Sequence, residues 1–387
     1  MNEDTPVGQR IAYYRHQRKL SQATLAGRVG RSASWLQKIE YGERPMDSMS
    51  MLLALANVLK VALWDLQPKI GLPPDGGAPL DPPKGIHAVR RALVAARPTD
   101  REPPTADILS ADLQAAKRLD RLGAVEPLAV VLPDLLEDTR ASQDPRAIAQ
   151  ACQLAYSLTC TVGELDLALL AADRAIGAAE RCGDRLLEAA ARRQMARVLM
   201  RQGWVHDAGA VCSDAADALA PGGPVAAAVW AMWGSLLLRL AFIAARRQDQ
   251  ATARESLEAA HSAAERAGSQ AWESSFGRAN VGAHEVAVAL ELEDPTEALQ
   301  AAGQVDVAEL PVPRRRAMFL VDVAQAYGLR EEDGATVNVL LEAERHSPGT
   351  VRYSVKAHGL VRACLTREER YRTPELRSLA ERLGVTV

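Results

Sequence analysis

An all-α protein in two helical parts is what the 387 residues predict, and three observations carry that reading. Hydrophobic residues reach 48% while aromatics are only 4%, so Ala and Leu, both strong helix formers, supply most of the apolar surface. Six prolines and an adjacent Gly76-Gly77 crowd the segment from Gln67 to Pro83, a density of breakers that no regular element survives. Beyond it a small-residue pattern returns every 37 to 45 residues, the period of stacked helical hairpins.

Taken in order, residues 6–66 hold short amphipathic patterns. Between Gln22 and Glu40, the residues Leu25, Val29, Leu36 and Ile39 recur at helical spacings and can fill the space between two short helices. Ala26 is small where the first of these helices must pack closely. Gly30 supplies the bend between them, with positive φ expected. Ser21 and Ser32 stand at N-cap positions, where a hydroxyl accepts from the first free amides. Each leaves a helix N-terminus able to face an anion.

With Leu20-Ser21-Gln22 before it and Ile39-Glu40-Tyr41-Gly42-Glu43-Arg44-Pro45 after it, this arrangement closely resembles the phage-repressor (Cro/XRE) type of helix-turn-helix. The resemblance implies a five-helix domain over residues 6–67 that lays the second helix of the motif in the major groove of double-stranded DNA. Carried over by position, Ala33, Ser34, Gln37 and Lys38 lie where base edges are read, with Ser32 at the start of that helix. Gln22 falls where the first helix of the motif touches phosphate, and Arg44 in the loop that tracks the backbone. Ala33 and Ser34 are shorter than the side chains common there, which shifts base reading onto Gln37 and Lys38. Trp35 packs either against DNA or against the helix 1 interface. Arg15 and Glu40 match a structural pair tying the first helix to the recognition helix, and neither is assigned to DNA.

Residues 68–104 read as a Pro/Gly-rich linker with a short basic helix from Ile86 to Arg97. From 105 to 387 helix follows helix. Gly163-Glu164-Leu165-Asp166-Leu167-Ala168 and Gly203-Trp204-Val205-His206-Asp207-Ala208 share a Gly-x4-Ala spacing, and weaker echoes centre on Ala253, Ala298 and Ala335. A turn that needs Gly or Asp precedes a helix that needs a small residue where it crosses its partner. Ala215 and Ala260 keep a second crossing small. The pattern resembles degenerate tetratricopeptide (TPR) repeats over 144–385, and the resemblance implies a right-handed superhelix of hairpins.

By that resemblance Ser235, Phe242, Phe276 and Asn280 fall on inner-groove positions and are the candidate ligand contacts, since an Asn amide can clamp a peptide backbone. Trp230, Trp233 and Trp272 belong either to the groove or to the core. Arg193 and Arg197 face one way and meet either a carboxylate or water. The run Arg314-Arg315-Arg316 opens a helix, where its charge opposes the dipole, and faces either an acidic partner or solvent.

The charge is uneven: residues 1–70 hold ten Lys/Arg against six Asp/Glu, a net of +4, so the rest carry −7 of the overall −3. A basic head on an acidic body fits a protein whose head alone meets a polyanion. Five cysteines and seven histidines form no CxxC or metal-ligand spacing, so no metal or cofactor is expected, and buried free thiols are. No Gly-rich phosphate loop, HExxH or GxSxG is present, which argues against an enzyme. The start has no basic, apolar leader, and the apolar run Val225 to Ala245 contains Arg239, costly in a membrane, so a buried repeat helix in a cytoplasmic protein is expected. The XRE–TPR resemblance implies a transcription regulator, a homodimer on a palindromic operator, gated by a peptide, small molecule or partner protein on the repeat domain. The rival from another class is a TPR scaffold whose helix-turn-helix docks a protein.

Overall fold

The computed structural model describes residues 6–44, 46, 49–59, 66, 82–95, 101–223, 225–268, 276–367 and 374–385. Among them are twenty α-helices, one 3-10 turn and no strand, and the chain divides into two compact units at Gly76/Gly77. Most of the expected linker, the fifth helix of the first unit apart from Leu66, and Trp272 lie outside the described residues.

In the first unit α1 (Val7–Gln17), α2 (Gln22–Arg28), α3 (Ala33–Glu40) and α4 (Met49–Leu59) enclose Ile11, Leu25, Ala26, Leu36, Ile39, Leu52, Leu55, Leu59 and Leu66. Leu25, Leu36 and Ile39 are the positions whose helical spacing is visible in the sequence, and Ala26, α1, α4 and Leu66 supply the rest of the core. Val29 is only half-buried at its edge. A Cβ on Gly8 would lie 2.0 Å from the carbonyl oxygen of Ile39, so α1 crosses α3 at a distance only glycine allows.

The second unit begins with α5 (Ile86–Val94), which buries Val89, Ala92 and Leu93 in the same core as Leu128 and Leu132. Six hairpins follow. They pair α6 (Ala106–Leu122) with α7 (Val125–Ser142), α8 (Pro145–Thr161) with α9 (Leu165–Cys182), and α10 (Arg185–Arg201) with α11 (Val205–Leu219). They continue with α12 (Ala227–Arg246) and α13 (Gln250–Ala267), α14 (Arg278–Glu291) and α15 (Pro295–Ala302), then α16 (Pro313–Leu329) and α17 (Asp333–His346). Short α18 (Pro348–Arg352), α19 (Val355–Arg367) and α20 (Pro374–Leu383) end the chain.

In four of the six hairpins the fourth residue of the second helix is a small crossing position: Ala168, Ala208, Ala253 and Ala298 are buried there. In the α16–α17 pair that position is Thr336, not Ala335. Thr336 is fully buried and its hydroxyl donates to the Glu332 carbonyl at 3.0 Å, so the side chain satisfies itself within the helix. Two residues before each of these helices the backbone turns left-handed: Gly163 (φ 85°), Gly203 (84°), Gln248 (62°), Glu293 (63°) and Glu331 (60°). A non-glycine residue held there costs about 1–2 kcal/mol, which the packed hairpin must offset.

The first helices of the hairpins form a closed circuit. α6 packs on α8, α8 on α10, α10 on α12, α12 on α14, α14 on α16, and α16 returns to α6. At the seam Arg314 pairs with Asp120 at 2.5 Å, donates to Ser157 Oγ, and reaches Thr161 Oγ1 at 3.1 Å. Ser347 Oγ donates to the Leu122 carbonyl at 2.9 Å and the Tyr353 hydroxyl to Glu126 at 3.1 Å. Arg314, Arg315 and Arg316 are therefore half-buried rather than a freely solvated run. Each has protein acceptors, and Arg314 is the clasp of the ring. The apolar α12 is the one described helix long and apolar enough to cross a membrane, and half of that apolar window is buried against its neighbours.

Candidate nucleic-acid interface and inner wall of the repeat unit

The motif in the first unit is built by its caps. Ser21 Oγ accepts from Thr24 N at 3.0 Å and starts α2, and Ser32 Oγ accepts from Trp35 N at 3.2 Å and starts α3. Gly30 makes the turn between them at φ 69°, the left-handed conformation expected of it. One side of α3 is anchored by buried Leu36, Ile39 and Glu40, and the other presents Ala33, Ser34, Gln37 and Lys38 to solvent beside exposed Ser32. Arg28, Arg31 and Arg44 in the flanking segments are also exposed, against one exposed acid there, Glu43, so the charge beside the free face of α3 is net positive. Backbone amides of Glu43 and Arg44 donate to the Lys38 carbonyl at 2.9 and 3.2 Å, which holds the Arg44 loop against the end of α3.

Arg15 anchors that helix from behind. Its Nε and Nη2 grip Glu40 at 2.6 and 2.8 Å, and Nη1 donates to the Leu20 carbonyl at 2.9 Å. Hydrogen bonding to Glu40 raises the Arg15 pKa above its ordinary value. Gln22 donates to the same carboxylate at 2.7 Å, so its amide nitrogen is engaged within the domain. Trp35 is half-buried at the rim of the core, with the Arg31 guanidinium 5.8 Å from its ring centre, a cation–π distance.

Residues 6–64 match the family described as a helix-turn-helix domain. The first unit is a helix-turn-helix domain. No curated protein matches the chain. Among solved structures it is similar to PlcR of Bacillus thuringiensis, determined in complex with the peptide PapR7 and DNA. The identity is 11% and the TM-score 0.39, with 84% of this chain and 98% of that chain covered; the likeness is too distant to assign anything here. Outside its helix-turn-helix domain the chain stands on its own geometry.

In the repeat unit the four candidate ligand residues separate. Phe276 is buried with Ala231, Leu238 and Val281, and a Cβ on Gly234 would sit 2.1 Å from its ring, so it fills the joint behind α12. Ser235 is buried and donates to the Ala231 carbonyl at 2.8 Å. Phe242 is half-buried between two guanidinium groups, Arg239 and Arg246, 5.8 and 5.9 Å from its ring centre. Asn280 accepts from Arg315 Nε through Oδ1 at 2.5 Å. Trp230 and Trp233 stack edge-to-face at 5.7 Å, with Arg266 over Trp230.

Arginines, rather than aromatics, dominate this wall. Arg193 and Arg197 on α10, Arg239 on α12 and Arg315 on α16 interact through their charges. Burial, then repulsion from Arg197 and Arg193, lowers Arg239 to about 10. Burial also lowers Arg315 to about 10, against the pull of Asp322. Burial, then Arg315, keeps His284 well below its ordinary value and therefore neutral. The sequence singles out Arg193 and Arg197, and Arg315 within the run Arg314-Arg315-Arg316, but does not mark Arg239 as a site residue. A usable signal was the one-turn spacing on successive inner helices: Arg193/Arg197, Ser235/Arg239 and Asn280/His284. Among the described residues no His/Cys/Asp/Glu group could hold a metal ion.

Proposed function

We propose that the chain is a sequence-specific transcription regulator, acting as a homodimer on a palindromic operator and gated by an effector on the inner wall of its repeat unit. The observation that carries the DNA half is the two-sided α3. Its rear is fixed by Leu36, Ile39 and the Arg15–Glu40 grip, while Ala33, Ser34, Gln37 and Lys38 stand free beside net positive charge. A rigid helix with a polar free face and an open N-terminus can enter the major groove with phosphates at its cap. Gln37 and Lys38 read bases, while Ser32, Arg44 and the rim of Trp35 meet the backbone. Gln22 contributes by orienting Glu40. Gating requires the effector to bind two forms of the ring with different affinity, and the Arg314 clasp is where two forms would part.

The test is genomic-fragment capture followed by binding to the enriched site over a salt series. Lys38→Ala and Gln37→Ala should each cost about 1–3 kcal/mol on that site and relax preference at one base position, with helicity unchanged. Salt-independent binding would refute DNA recognition, since neutralised phosphates must release counterions. A single protomer per site by light scattering would refute the dimer.

A further inference from the structure

The inner wall of the closed ring holds more positive charge than it can neutralise. Arg193, Arg197, Arg239 and Arg315 come from three of the six helices in the circuit and are half-buried. Among the described residues Asp322 is the carboxylate whose charge acts on Arg197 and Arg315, Glu291 lies within reach of Asp322, and each is already held. Asp322 pairs with Lys356 at 2.5 Å and Glu291 with Arg246 at 2.6 Å. The Nε atoms of Arg193 and Arg239 are shut off from solvent and have no hydrogen-bond acceptor. The remaining neighbours are uncharged: the Tyr156 phenol beside Arg197, Asn280, and neutral His284 against Arg315 at 2.9 Å.

Folded proteins pair or ligate cations in such places, because an arginine cannot shed its proton to escape the cost. Here the Nε atoms of Arg193 and Arg239 have no acceptor, and the hydrogen-bond partners of Arg197 and Arg315 are uncharged. We propose that this wall binds an oxyanion of at least two negative charges, a phosphate ester or a polycarboxylate, gripped by Arg193, Arg197, Arg239 and Arg315. Planar guanidinium forks match both chemistries. Phe242, faced by Arg239 and Arg246, gives the organic part of the ligand an apolar surface. An uncharged peptide clamped by Asn280 fits less well, because Asn280 Oδ1 already holds Arg315 and the four charges would remain unpaired. The same field acts on Cys160: burial raises its thiol pKa, but Arg197 and Arg201 outweigh that and lower it. The inference names the class of effector for the gated reading and rests on that reading only for its regulatory consequence.

The test is thermal unfolding of the full chain at matched ionic strength with sodium pyrophosphate, tricarballylate or chloride. At least one polyanion should raise Tm where chloride does not, and the two arms tell a phosphate from a carboxylate ligand. Arg239→Gln and Arg193→Gln should raise the ligand-free Tm by relieving repulsion while weakening the polyanion at least about tenfold. Lys38→Ala should keep the full shift, which separates the ring from the DNA-facing helix. The proposal is overturned if neither polyanion shifts Tm beyond chloride. It is equally overturned if both Gln variants lower the ligand-free Tm and keep the wild-type shift. DNA is absent from this assay, so failure of gating would leave the site standing, and failure of the site would leave DNA binding untouched.

Discussion

Arg15→Met isolates the interaction that seats the recognition helix. In the wild type the guanidinium makes two contacts with Glu40 and a third to the Leu20 carbonyl, and the side chains of Arg15 and Glu40 are only 8% and 5% exposed. Methionine keeps the stem and strands the carboxylate, which retains one donor, Gln22 Nε2 at 2.7 Å. Breaking a buried pair costs about 3–5 kcal/mol. The surviving Gln22 bond puts the expected loss near the lower end, about 3 kcal/mol. A domain of this size has only about 3–9 kcal/mol in total, so the variant should populate unfolded helix-turn-helix measurably. Arg15→Met combined with Glu40→Leu should recover most of the loss, because replacing both charges with apolar groups is often neutral. Hydrogen exchange of the full chain reads this directly, through amides of α1 to α3, with those of the repeat unit as an internal reference. A loss below about 1 kcal/mol, or a double variant no better than the single, would show that the pair is not what holds α3.

Three further outcomes follow from the repeat unit. Gly163→Ala should cost about 1–2 kcal/mol in urea unfolding, since φ there is 85° and a Cβ meets nothing within 4 Å, leaving backbone strain as the sole term. Glu331→Gly at φ 60° should be neutral or stabilising by less than about 1 kcal/mol, as relieved strain is partly offset by glycine's greater unfolded entropy; a clear loss would contradict the left-handed turn. His284 supplies a pH dependence. Its folded pKa is held well below 6.5, so below 6.5 the unfolded chain binds a proton that the folded chain refuses. Stability should then be full above that pH and fall as pH drops, by at most about 1.4 kcal/mol per pH unit for the one proton. His284→Gln should flatten the slope to the part due to His358, which burial also depresses; an unchanged slope would remove His284 from the wall.

The helix-turn-helix was legible because everything that builds it is local. Ser21, Leu25, Ala26, Gly30, Ser32, Leu36 and Ile39 span fewer than two dozen positions, and caps, turn and apolar spacing act over one or two helical turns. The repeats were harder to see, and the turns explain why. Gly163 and Gly203 announce a left-handed residue, whereas Gln248, Glu293 and Glu331 adopt the same conformation without the residue that signals it. In the α16–α17 pair the small position is Thr336, so an alanine-centred reading settled one residue early on Ala335. One alignment rule proposed both Phe242 and Phe276. The packed joint at Gly234 then drew Phe276 into the core and left Phe242 between guanidinium groups.

By itself the sequence determined the helices, their caps and turns, the polar free face of α3 and the charge contrast between head and body, because propensity, periodicity and charge are properties of short windows. Tertiary structure decided that the hairpins close on themselves. Arg314 meets Asp120 across 194 residues of chain, and Ser347 meets the Leu122 carbonyl across 225. It also decided that four arginines from three helices share one wall with no carboxylate of their own. No local pattern encodes such a meeting, because it depends on the summed rotation of every hairpin between the partners, and small per-repeat angles add up only once the whole ring is packed.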